Sequence, residues 1–138
     1  MPCRCGNRGC LETVAALPAI LGAARRAGLP DEIEQIVDLA TDGQPEALAI
    51  LHRAGTALGV SLSQIIQLID PLRIVVRLDP HLVESVFARA LRQAVEAHVL
   101  RRESYETELV LGPLHPNDFA TGAASLAAQR FLFGNTSL

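Results

Sequence analysis

Along most of this chain the apolar residues recur at helical spacing, and in two places they form short continuous runs. From Leu11 to Ala27 the residues Leu11, Val14, Leu17, Ile20, Leu21 and Ala24 make one face that stops at Gly28. This spacing predicts a helix with a glycine just past its end and a bend at Pro18. Leu29-Pro30-Asp31 then opens a short acidic helix, with Asp31 at its start and Ile33, Ile36, Val37 and Ala40 on one side, closed by Asp42-Gly43. The longest stripe runs from Pro45 to Leu68 and crosses two glycines. Gly55 and Gly59 sit four apart, so they share a face and would let another backbone come close.

Asp70-Pro71 ends that pattern, and Arg73-Ile74-Val75-Val76 is a β-branched run that predicts a buried strand. A helix is expected next, opening at Asp79 or Pro80 and keeping Leu82, Val86, Phe87, Ala90, Leu91 and Val95 on its core face up to about His98. Glu108 to Leu111 reads as a second strand closed by Gly112-Pro113, and Asn117 or Asp118 caps a last helix through Phe131. Helices followed by strand, helix, strand, helix predict an α/β fold, helix-rich with a small, mainly parallel sheet. Two strands make a poor sheet alone. Further chain outside this sequence, or a partner molecule, is expected to complete it.

The 138 residues fit one domain. They are 49% hydrophobic but only 4% aromatic with no Trp, so the core must be aliphatic. A net charge of −3 offers no general field for phosphate backbones, which argues against nucleic-acid binding by this segment. All basic residues are Arg. Without a Lys the chain cannot supply a P-loop lysine or a Schiff-base lysine. No stretch reaches the roughly 18 to 20 apolar residues of a membrane span, and residues 1–10 lack the apolar core of a secretory signal. A cytoplasmic protein with no membrane partner is the expectation.

The chemistry is concentrated at the start, in Cys3-Arg4-Cys5-Gly6-Asn7-Arg8-Gly9-Cys10-Leu11-Glu12. Three cysteines within ten residues are too few and too crowded for a disulfide framework, which favours a metal site over ordinary reduced thiols. Zinc prefers thiolates in a tetrahedral array, and Gly6 and Gly9 allow the positive φ that a short loop around one ion needs. Elsewhere candidates are weak. His52, His81, His98 and His115 are scattered and read as surface or helix-end residues, Glu32, Glu34 and Asp38 as a solvated face, and Tyr105 as an isolated aromatic near a strand start. No Ser, His, Asp grouping suggests nucleophilic catalysis.

The string Cys-x-Cys-Gly-x-x-Gly-Cys-Leu-Glu resembles the zinc loop of the ROK family of sugar-responsive repressors and sugar kinases in every fixed position. The layout of the rest is similar: Leu58-Gly59 leading into Asp70-Pro71, the strand Ile74 to Val76, and Thr121-Gly122-Ala123-Ala124 in the last helix. The resemblance implies the C-terminal part of an actin-like, ribonuclease H-like sugar kinase fold, with residues 1–12 as zinc loop, 13–69 helical and 70–138 α/β. It further implies zinc on Cys3, Cys5 and Cys10 with an upstream His, and a sugar hydroxyl contact for Glu12, which could otherwise be a first-turn capping acid.

The family's phosphate loop, catalytic Asp and remaining sugar ligands have no counterpart in this sequence. Kinase members also tend to follow the middle strand with Gly-Gly, where this chain has Arg77-Leu78, whose side chains should crowd a nucleotide. The expected function is therefore the sugar-sensing and dimerisation part of a ROK transcriptional regulator. In that role sugar binds only together with an N-terminal lobe, and DNA only through a domain not in this chain. The alternative is the C-terminal lobe of an ATP-dependent ROK sugar kinase. A plainer possibility is an association module that begins at Met1.

Overall fold

The computed structural model describes residues 2–100 and 106–134. The expected Leu11–Ala27 helix is two helices, α1 (Glu12–Ala15) and α2 (Leu17–Arg26), because Ala16 turns to an extended conformation with ψ 148°. Pro18 lies in the first turn of α2, where its missing N–H has no partner to lose, so it starts a helix instead of bending one. Helix α3 (Ile33–Thr41) begins after Glu32, one residue beyond the expected Asp31. Helix α4 (Pro45–Ile69) has Pro45 in its first turn and is capped by the Gln44 side chain, which accepts from Ala47 N–H at 2.6 Å. Asp70 ends it in the left-handed conformation at φ 54°, its N–H donating to the Ile66 carbonyl.

Strand β1 (Arg73–Leu78) is two residues longer than expected and pairs in parallel with β2 (Glu108–Pro113), with Ile74 beside Leu109 and Val76 beside Leu111. The helix between them does not open at Pro80. A single 3-10 turn (Pro80–Leu82) comes first, and α5 (Val86–His98) starts at Ser85, whose hydroxyl accepts from Phe87 N–H and donates to the Leu82 carbonyl. Helix α6 (Asp118–Phe133) closes the described chain. Tyr105 lies outside the described residues.

The principal packing unit is α4 against α5. Phe87 and Leu91 of α5 are buried with Leu51, Ala54 and Ile66 of α4, and Ile20 of α2 and Ile36 of α3 join the same aliphatic core. Gly55 and Gly59 make the crossing possible. A Cβ on Gly55 would strike the Phe87 carbonyl, and one on Gly59 the Leu91 carbonyl and the Ala94 methyl. The close approach expected from their spacing is thus made within the chain, to α5. The sheet packs the Ile74, Val76 and Leu78 side on this core, while Arg73, Val75 and Arg77 face outward.

Candidate metal and sugar site

Glycine and backbone hydrogen bonds shape the first loop. Cys3 N–H donates to the Asn7 carbonyl at 2.8 Å, Gly6 N–H donates to the Cys3 carbonyl at 3.0 Å, and Pro2 forms a bridge with Arg8. Gly6 and Gly9 take φ of 89° and 74°, values that a side chain would resist. The turn brings the thiols of Cys3, Cys5 and Cys10 within 4.8 Å of one another, and the Cys5 and Cys10 sulfurs to 3.6 Å. Such a cluster could hold a metal ion, and three soft donors around one point suit a borderline-soft cation such as zinc.

The Cys5 and Cys10 thiols differ in acidity. A hydrogen bond from the Asn7 backbone, followed by those from the Cys3 and Cys10 thiols, holds Cys5 below the ordinary thiol range. Hydrogen bonds to Cys5 and then Cys3 push Cys10 up to about 11. Of these two thiols, Cys5 therefore gives up its proton more readily than Cys10.

Glu12 joins this cluster. Its Oε2 accepts from the Cys3 thiol at 3.6 Å, and its Oε1 lies 3.2 Å from Arg4 Nη2. Helix α1 has a single turn, so the dipole that a long helix would offer Glu12 is small. What places the carboxylate is the loop, together with the packing of α1 on α2 and α4 and the Thr13 N–H and hydroxyl bonds to the Cys10 carbonyl. Arg4 as the partner of Glu12 was not evident in the sequence. It occupies a variable position of the motif, and no periodicity announces a pairing across eight residues.

The other candidates stay apart from this cluster. His52, His81, His98 and His115 are all exposed; the His98 ring bonds the Ala94 carbonyl of its own helix, and its backbone carbonyl accepts from Gln67 Nε2 of α4. Glu32, Glu34 and Asp38 are solvated. Of the expected Arg77-Leu78 obstruction only Arg77 stands outward. Leu78 is buried in the core, whereas the Arg77 guanidinium covers Gly112 and lies 4.0 Å from Asp118 Oδ2. A cleft of about 600 Å³ opens between α4, α5 and the start of β2, floored by Ile66, Val95 and Leu109; no residue of the cysteine loop lines it.

The ROK family model matches residues 1–130. The chain is 30% identical to the xylose repressor of Bacillus spizizenii over 132 residues, which are 94% of this chain and 34% of that protein. Among solved structures, the ROK family glucokinase of Streptomyces griseus in complex with glucose and AMPPNP superposes with a TM-score of 0.73 at 20% identity, over 94% of this chain and 47% of that one. A ROK family transcriptional regulator, a homolog of the E. coli MLC protein, superposes at 0.70 with 30% identity, over 90% of this chain and 34% of that one. The chain thus spans about a third of the length of the repressor it matches. Its helices and parallel strand pair are part of the actin-like fold of ROK sugar kinases and regulators. No helix among the described residues is long and apolar enough to cross a membrane. With the cysteine motif, the fold and a match over nearly its whole length in agreement, the chain belongs to the ROK family.

Proposed function

We propose that this chain is the sugar-sensing and dimerisation part of a cytoplasmic ROK transcriptional regulator, with zinc held by Cys3, Cys5 and Cys10 and Glu12 contacting a sugar hydroxyl. The observation that carries the regulator reading is Arg77. Its guanidinium lies across Gly112 at the C-terminal end of the parallel strands, where a nucleotide would need bare backbone. The second reading, a kinase lobe, draws on the likeness of fold to the glucokinase. Zinc would serve a structural role here, fixing the turn from which Glu12 projects; its carboxylate can accept two hydroxyl donors of a sugar. A fourth ligand and the remaining sugar contacts would come from other chain, as would any contact with DNA. The three segments 1–12, 13–69 and 70–138 then divide the work into metal loop, helical support and α/β layer.

Two measurements test this. Elemental analysis of protein purified without added metal should give close to one zinc per chain. A value well below one half that does not change in Cys10→Ser would overturn the metal assignment. Titration with Mg-AMPPNP, followed by NMR, should leave the amides of β1 and β2 unmoved. Saturable shifts centred on Arg77 and Gly112 would favour the kinase reading instead.

A further inference from the structure

We infer that Cys5 and Cys10 form a redox couple, closing to an intrachain disulfide on exposure to a low-molecular-weight disulfide and thereby dismantling the loop as a metal site. The disulfide itself rests on geometry alone; its effect on metal rests on the zinc reading above. Cys5 is exposed and Cys10 partly so, and their sulfurs stand 3.6 Å apart. A disulfide of about 2.05 Å requires an approach of roughly 1.5 Å. The segment that must give contains Gly6 and Gly9, and both have open space around the position a Cβ would occupy.

Cys3 is held differently. Its thiol also approaches Cys5 and Cys10, but of the three it is the one that donates to the Glu12 carboxylate, at 3.6 Å. It is the thiol left over. In the reaction the Cys5 thiolate attacks one sulfur of the oxidant RSSR, forming the Cys5–SR mixed disulfide and releasing RS⁻, which takes up a proton. Cys10 then loses its proton, attacks the Cys5 sulfur and expels the second RS⁻ as RSH. Two electrons and two protons pass to the oxidant, giving two RSH. Zinc needs deprotonated, free thiolates, so a loop with one remaining thiol no longer offers a site. Metal occupancy and the disulfide should exclude each other.

The test treats the reduced, metal-free 138-residue chain with glutathione disulfide, alkylates the remaining thiols and maps the peptides by mass spectrometry. The expected product is monomeric, cross-linked between Cys5 and Cys10, and alkylated only at Cys3. Cys3→Ser should form the same cross-link, whereas Cys10→Ser should stop at the mixed disulfide. Dominant pairing through Cys3, cross-linking between chains, or stable glutathionylation of the wild type would each overturn the couple. In a second arm, zinc-loaded protein should cross-link at least about tenfold more slowly and release zinc in step with the disulfide. Cross-linking with zinc still bound would overturn the mutual exclusion. A chain that takes up no zinc would overturn the metal assignment, while the metal-free arm still decides the couple.

Discussion

Gly55 and Gly112 are both glycines without room for a side chain, yet the consequences of filling them differ. At Gly55 the obstacle is the Phe87 carbonyl, which belongs to a helix backbone and cannot move without shifting α5. Gly55→Ala should therefore cost about 3 kcal/mol, the upper part of the overpacking range, read as a lower urea midpoint. At Gly112 the obstacle is the end of the Arg77 side chain, and Gly112→Ala should change stability by less than about 0.5 kcal/mol. The thiols predict a pH effect. Cys10, pushed up to about 11, is protonated at neutral pH, so a metal must displace its proton. Zinc affinity should accordingly rise as pH increases from 6 to 8, by about tenfold per unit for each proton displaced. A competition titration with a chelator checks it, and a flat profile would show that the loop does not bind through Cys10.

Among the elements, α5 and α6 mark two extremes. The start of α5 is buried, and Ser85 satisfies both the Phe87 N–H and the Leu82 carbonyl there. Ser85→Ala should cost about 1 to 2 kcal/mol, measured by thermal or urea unfolding. Helix α6 spreads its apolar residues around its whole circumference, with Thr121, Ser125, Gln129 and Arg130 among them, and its Phe119 and Phe131 are 77% and 88% exposed. A helix of that pattern is stable only when covered. In hydrogen exchange on dilute protein, the α6 amides should lose protection orders of magnitude sooner than those of α4 and α5, which are held by the core. Equal protection would mean that α6 is covered in solution.

At the scale of the whole molecule, apolar surface is concentrated on Leu68, Ile69 and Leu72 beyond the end of the α4 core face and on α6, and among the described residues the sheet has two strands only. Open sheet edges and patches of this kind invite a partner. The Gly55 and Gly59 face, which could have admitted the backbone of another chain, is used up against α5. Light scattering at high micromolar concentration should still show species larger than a monomer, and truncation after Leu114 should shift them toward monomer. A stable monomer would count against a dimerisation role. By itself the chain should neither turn over ATP with glucose, N-acetylglucosamine or xylose nor hold these sugars at micromolar affinity. Glu12 offers one charged hydrogen-bonding group, about 1.5 to 3 kcal/mol of the roughly 8 kcal/mol such affinity needs. Calorimetry showing micromolar binding that Glu12→Gln abolishes would mean that the chain carries a complete site.

Periodicity was enough to place the stretches that became α2 to α5 and both strands, because each of these packs one face on the core and its apolar residues must recur at that element's spacing, whereas α6 was marked by its start at Asn117-Asp118. The Cys-x-Cys-Gly-x-x-Gly-Cys-Leu-Glu string likewise announced a local cluster, since a loop that short leaves its thiols few places to go. Where Pro18, Pro80 and Asp31 sit relative to the helix starts was not decided locally, because a proline suits a first turn as well as a bend, and only the packing of α1, α2 and α5 on the core selects between them. The same holds for Arg77 and Leu78, adjacent in sequence and alike in bulk. Strand alternation must send them to opposite faces, but which face is core depends on where α4 and α5 lie, and that is a property of the assembled fold. The pairing of Arg4 with Glu12 is also tertiary in origin: it exists because the glycine turns fold the loop back over the first turn of α1.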